Sequence, residues 1–158
     1  MAYLEEIPEY KDDILKTFIE KPNIVTYIDS KEALSIDLIG ENIFPFPYVP
    51  GVQEEVKAFI TMDIYVPRTR DKLIKDVQIV INVFTHKDKS LYKGKSRVDL
   101  LSIEIDKIMN GNYNFGIDAV DLVSVLPYNP GANYFGKQFI YNVQNLNQRR
   151  CRSNEHKI

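Results

Sequence analysis

Three carboxylates, Asp99, Glu104 and Asp106, lie close together in a stretch with helical apolar spacing. Asp99 and Asp106 are seven residues apart, which puts them on a similar side of a helix. Paired carboxylates of this kind can bind Mg²⁺ or share a proton. On an amphipathic helix, however, they also form the ordinary solvated face. Asp63, inside an alternating strand pattern, would suit a metal-dependent nuclease, but the next strand offers no Glu-x-Lys pair. Gly94-Lys95-Ser96 matches the end of a phosphate-cradling loop and lacks the upstream glycine that such a loop needs. His86 has no Ser or Cys partner at a suggestive spacing and suits the cap of a strand end. Cys151 is flanked by Arg149, Arg150 and Arg152, cations that can lower a thiol pKa, yet no catalytic partner accompanies it. No catalytic residue, cofactor or metal ligand is assigned, and a non-enzymatic role is expected.

The residues better placed for contact than for bond-making are basic and aromatic. His86 to Arg97 holds five Lys/Arg (Lys87, Lys89, Lys93, Lys95, Arg97) against one Asp. With its polar character and its glycine, it reads as a mobile surface loop. Arg149 and Arg150 give the C-terminal stretch the same character. Both segments could touch nucleic-acid phosphates, and nothing in either supplies base-specific reading. Asn42 to Val52 contains three prolines and a glycine together with Ile43, Phe44, Phe46 and Tyr48. Proline forbids a regular helix or central strand there. The large apolar residues forbid a solvated linker. An extended arm is expected, packed on its own domain or on a neighbouring subunit.

Composition narrows the class. The chain has 158 residues, 44% apolar and 27% charged, as expected for one globular domain. No apolar run is long enough to span a bilayer. Met1 to Glu9 is acidic and lacks an apolar core, so no secretory leader is expected. One cysteine precludes an internal disulfide, and a reducing compartment is the default. Tryptophan is absent, while 10 Tyr and 8 Phe supply rings suited to core or contact surfaces. The net charge of −2 conceals a dipole. Residues 1–66 carry 5 Lys/Arg against 13 Asp/Glu, and residues 67–158 carry 15 against 9. The two parts could meet oppositely charged partners or copies of the chain, or their charges could intermingle on one surface.

The elements that must position these residues follow from periodicity. Glu9 to Glu20 reads as a helix with Ile14, Leu15, Phe18 and Ile19 on one stripe, stopped by Lys21-Pro22. Asn23 to Ile28 reads as a strand or extended link. Asp29 and Glu32 resemble a capping box opening a short helix that ends near Ile39-Gly40. Lys57 to Val66 alternates as a strand ended by Pro67, and Asp76 to Thr85 as a second strand. A long loop between them completes an antiparallel hairpin. Ser96 caps the best helix, whose stripe is Val98, Leu101, Ile105, Ile108 and Met109 and whose stop is Asn110-Gly111. Ala119 to Pro127 and Gly136 to Val143 read as the last two strands, separated by a turn at Pro127–Gly131. The expected fold is α+β, with a four-stranded, mainly antiparallel β-β-α-β-β sheet and one main helix packed on it. N-terminal helices and the proline-rich arm (42–52) complete a single domain over residues 1–147. Residues 148–158 form a basic tail.

The run Val77-Gln-Ile-Val-Ile-Asn-Val-Phe-Thr-His86, a charged loop, and then Arg97-Val-Asp-Leu-Leu-Ser-Ile-Glu-Ile-Asp-Lys-Ile-Met-Asn-Gly111 resembles the small neck proteins of tailed bacteriophages. The likeness is to the tail-terminator and tail-completion group, in which a hairpin, a flexible loop, a helix ending near Asn-Gly and two closing strands recur. The proline arm and the longer N-terminal part depart from that pattern. They leave room for another neck component, such as a head-completion protein or connector adaptor. A small nucleic-acid-binding module is the alternative outside that class.

The resemblance implies a virion structural protein, present in the host cytoplasm during assembly. It implies a homo-oligomeric ring, generally a hexamer, that ends tail growth and joins tail to head. The partners implied are other copies of the chain, the tail-tube protein, a head-side connector protein, and genomic DNA passing through non-specifically, with no membrane. Ring closure needs unlike patches that meet, and the arm, the basic loop and the tail are the contact elements expected to supply them.

Overall fold

In the computed structural model, which describes residues 4–31, 34–51, 55–70 and 73–146, alternation in two adjacent segments builds the centre of the molecule. Strands β2 (Ala58–Arg70) and β3 (Ile74–His86) pair antiparallel with Ile60 opposite Val83, Met62 opposite Ile81 and Ile64 opposite Ile79. All six side chains lie on one face and are buried. The hairpin is tighter than its sequence suggests. Pro67, lacking an N–H, shifts the register between Tyr65 and Arg68 without ending the strand, as a proline at a bulge does. The polar segment expected as a long loop is paired up to Arg70 opposite Ile74.

Helix α1 (Glu6–Glu20) lays Ile14, Leu15 and Phe18 on this core. Asn23 to Ile28, expected as a strand or link, is instead helix α2 (Pro22–Ile28). Pro22 occupies its first turn, where a missing N–H costs nothing and the fixed φ suits a helix start. Ile24 and Ile28, four apart, both reach the core. Asp29 ends this helix in a left-handed conformation (φ 50°) and does not open the next one. Its expected capping partner Glu32 lies outside the described residues. The following helix reduces to a 3₁₀ turn at Ser35–Leu38.

The proline arm contributes a short strand, β1 (Ile43–Phe44), parallel to β2. After β3, a 3₁₀ turn at Lys87–Lys89 and the small hairpin β4 (Leu91–Tyr92) and β5 (Lys95–Ser96) lead into α3 (Arg97–Met109). Ser96 Oγ accepts from Asp99 N–H (3.3 Å), and Val98, Leu101, Ile105 and Met109 are buried, matching the expected cap and stripe. Strands β6 (Asp121–Gly131) and β7 (Tyr134–Leu146) close the fold. The expected turn at Pro127–Gly131 is the end of β6, because prolines at 127 and 130 fall on an edge strand, where a missing donor is tolerated.

The fold is α+β, with a mixed five-stranded sheet in the order β1-β2-β3-β7-β6. Four of its strands are the expected antiparallel set, and the arm adds the fifth. All three α-helices pack on one face. On the other face Phe44, Phe59, Phe84 and Tyr134 form a second apolar cluster, joined by Tyr48 and Tyr128. Among the described residues no helix is long and apolar enough to cross a membrane.

Candidate partner-binding surfaces

The arm divides between core and surface. Phe44 is buried, stacked on Tyr48 with ring centres 4.2 Å apart, and Tyr48 in turn donates to Glu55 Oε1 (3.1 Å). Burial and the Glu55 carboxylate hold the Tyr48 phenol above its usual pKa. Pro45 O accepts from Lys11 Nζ (2.9 Å). These contacts fix the arm to its own domain. Phe46 stands out from it, 50% exposed, as does Val49.

The basic segment His86–Arg97, expected as a mobile surface loop, is a 3₁₀ turn and a small hairpin packed on the domain, and Arg97 anchors it. Its side chain is 4% exposed and donates to three backbone carbonyls: Tyr27 O, Lys89 O (2.9 Å) and Leu91 O (3.1 Å). Asp29 Oδ2 lies 4.0 Å away. Arg97 therefore clamps the small hairpin to α2 and is not presented to a partner. Lys93 (φ 48°) and Gly94 (φ 80°) form the hairpin turn, where two positive φ values match the twist of the paired strands. Lys89 is half-buried and donates to Asp29 O (2.6 Å), and burial holds its pKa below the usual lysine value. Lys87, Lys93 and Lys95 are exposed, and among the described residues none of them has a carboxylate partner. His86 ends β3, with its Nδ1 accepting from Asp88 N–H (3.1 Å) and its ring edge-on to Tyr134. Arg97→Lys is expected to cost roughly 2 kcal/mol, because an ammonium cannot reach all three carbonyls and buried acceptors would be left unpaired. Melting temperature, and faster amide exchange across Leu91–Ser96, would register it.

The carboxylates considered for chemistry are engaged separately. Asp99 pairs with Lys137 Nζ (2.5 Å), Glu104 with Lys107 (3.2 Å), and Asp106 accepts from Tyr141 Oη (2.9 Å), whose own pKa burial raises. Asp63 accepts from Ile64 N–H (2.8 Å) and pairs with Lys11 (2.8 Å). Among the described residues no three His, Cys, Asp or Glu side chains converge as a metal site. A cleft of about 530 Å³ includes Lys31, Lys57 and Lys89 in its lining, but Lys57 is held by Glu41 (2.9 Å) and Glu55 (3.2 Å).

Part of the charge dipole is neutralised within the chain. Acidic Glu6 and Asp29 from the first part meet Lys75 and Arg97 from the second. At one end of the sheet Arg68 (2.6 Å) and Arg70 (3.2 Å) share the carboxylate of Asp76. The Arg68 guanidinium beside it holds that carboxyl below its usual pKa. Asp118 and Asp121 line the same shallow cleft of about 220 Å³ without forming an ion pair with either arginine.

Sequence reasoning missed the outer edge of β6. Val123 (56%), Val125 (42%) and Leu126 (50%) are exposed there. A register shift between Leu122 and Ser124 changes the phase of the strand, so that Leu122 faces the core while Leu126 lies opposite Gln138 on the far face. The signal available was Val123 and Val125 alternating out of phase with Val120 and Leu122. Arg149, Arg150 and Cys151 lie outside the described residues.

No curated protein matches the chain. The YomW family model matches residues 10–143, from α1 through most of β7, and the chain belongs to this phage-associated family.

Proposed function

We propose that the protein is a structural component of the phage neck, a ring-forming tail terminator that ends the tail tube and joins tail to head. The observation that carries this reading is the hairpin–helix–hairpin sheet, with its helices on one face, in a chain of a phage-associated family. Several of its carboxylates and cations are held in internal pairs while apolar and basic groups stand exposed at separate places, which supports the same reading. A virion protein of this kind acts through shape and charge at interfaces, and its copies, the tail-tube protein and a head-side connector are the partners. Lys87, Lys93 and Lys95 are exposed cations placed together on one segment, suited to face DNA passing the ring.

The test is electron microscopy of the purified protein, alone and mixed with phage tails. Rings, or rings formed on tail tubes, are the expected result. A second reading, a small nucleic-acid-binding module, draws on the same three lysines. It requires the isolated monomer to bind DNA with a steep salt dependence that weakens in Lys87→Ala/Lys93→Ala/Lys95→Ala. Such binding without any assembly would replace the neck reading.

A further inference from the structure

The two edges of the sheet are built differently. On the β2 side, β1 covers only Ile60 and Thr61. Ile60 N–H points outward to Asn42 O (2.8 Å), so Ile64 N–H, four residues on, points the same way. That amide is already capped by Asp63 Oδ1 (2.8 Å), with Lys11 holding the carboxylate. Beyond it Pro67 interrupts the ladder, and the strand finishes with Arg68, Thr69 and Arg70. On the other side β6 has no outer neighbour among the described strands. Its prolines guard only the far half, leaving Asp121 to Leu126 as an open edge with an apolar surface. Such an edge is a template for another strand.

We propose that Asp121–Leu126 of β6 pairs with the Tyr65–Arg70 end of β2 from a second copy of this chain. The inference rests on the ring reading and names its interface. Strand direction supports it. Successive strands β2, β3, β7 and β6 alternate, so β6 against the next copy's β2 continues the antiparallel order. Charge supports it independently. The end of β2 and the start of β6 lie at the same end of the sheet. There two arginines share one carboxylate, which leaves positive charge in excess, while Asp118 and Asp121 have no cation partner among the described residues. Within one chain these groups line one shallow cleft, on strands three spacings apart; across the proposed junction their strands would be direct neighbours, about 4.8 Å apart. Pairing Asp121–Leu126 with itself about a two-fold axis would set Asp121 against Leu126 and leave it unmatched. Joining unlike edges is the heterologous contact that closes rings.

Cross-linking tests this in the full chain with Cys151→Ser, which removes the single cysteine. Val125→Cys combined with Val66→Cys is expected to give a ladder of covalent oligomers on oxidation, and Val125→Cys alone none. Asp121→Arg with Val123→Lys should leave the circular dichroism of the monomer unchanged and weaken assembly by at least about tenfold, since it sets like charges against Arg68 and Arg70. Covalent dimers from Val125→Cys alone would overturn the proposal in favour of two-fold pairing. Rings seen by microscopy that give no ladder would overturn this interface and leave the ring reading standing. A protein that stays monomeric even with tail tubes would overturn both.

Discussion

Lys75→Met is expected to destabilise the fold by about 3–5 kcal/mol, because it removes one member of a buried ion pair and strands the other. Lys75 is 1% exposed and its ammonium meets the carboxylate of Glu6, itself buried in the first turn of α1. Burial pulls the Lys75 pKa below the usual lysine value, so the charged pair is held against a desolvation penalty. Methionine keeps most of the side-chain volume and isolates the charge effect. Adding Glu6→Leu to the same chain should recover most of the loss, since two apolar groups of similar size tolerate that site better than one unpaired carboxylate. Urea unfolding reads both: the midpoint should fall in the single variant and return in the double, with an unchanged slope. Equal midpoints for wild type and Lys75→Met would show that the pair contributes nothing.

Gly136→Ala is the second large effect, expected at about 3 kcal/mol, the upper part of the range for forced overpacking. Gly136 lies in β7 between Phe84 of β3 and Tyr128 of β6, whose rings meet across it with centres 5.6 Å apart. A Cβ there would sit 1.8 Å from Val83 O and 2.6 Å from Phe84 Cα. Both obstacles are backbone, so relief requires β3 and β7 to move apart. Gly131→Ala is the control. Its Cβ would meet nothing closer than Tyr134 Cδ2 at 3.5 Å, and a change within about 0.5 kcal/mol is expected. Thermal melts of the two variants should separate clearly. Similar melts would mean that the strands accommodate the methyl group.

Much of the frame was legible before any coordinates. The stripe of α3 and its Ser96 cap are local signals, and so is the alternation of β2, β3 and β7, because burial on one face of a helix or strand writes its own period into the chain. What escaped was set by distant partners. Seven residues are too few for a helical period to show, so α2 was hidden behind a proline that reads equally as a stop and a start. The Lys-rich stretch after His86 has a loop composition, and partners distant in sequence fold it down: Arg97 reaches Tyr27 O, seventy positions away, and Lys89 reaches Asp29 O. Lys75 lay in a segment polar enough to suggest solvent. Its burial depends on Glu6, sixty-nine positions earlier. Among the candidate contact residues, the same physics separates Phe44, drawn into the aromatic cluster, from Phe46, two residues on and exposed. The open edge of β6 required knowledge of strand order, which no local pattern contains.

That order also sets a timetable for synthesis. β7 is the last described strand, yet it is inserted between β3 and β6, not added at a margin. Until it leaves the ribosome, the hairpin of β2 and β3 has its inner ladder bare, with Val77, Ile79 and Ile81 waiting for their neighbours Val143, Tyr141 and Phe139. Sheet completion therefore depends on contacts across some sixty residues of chain, which slows folding and lengthens the interval in which nascent polypeptides can mispair. A host that produces many copies at once would meet that hazard at every ribosome, and chaperone demand during expression should follow the arrival of this one segment.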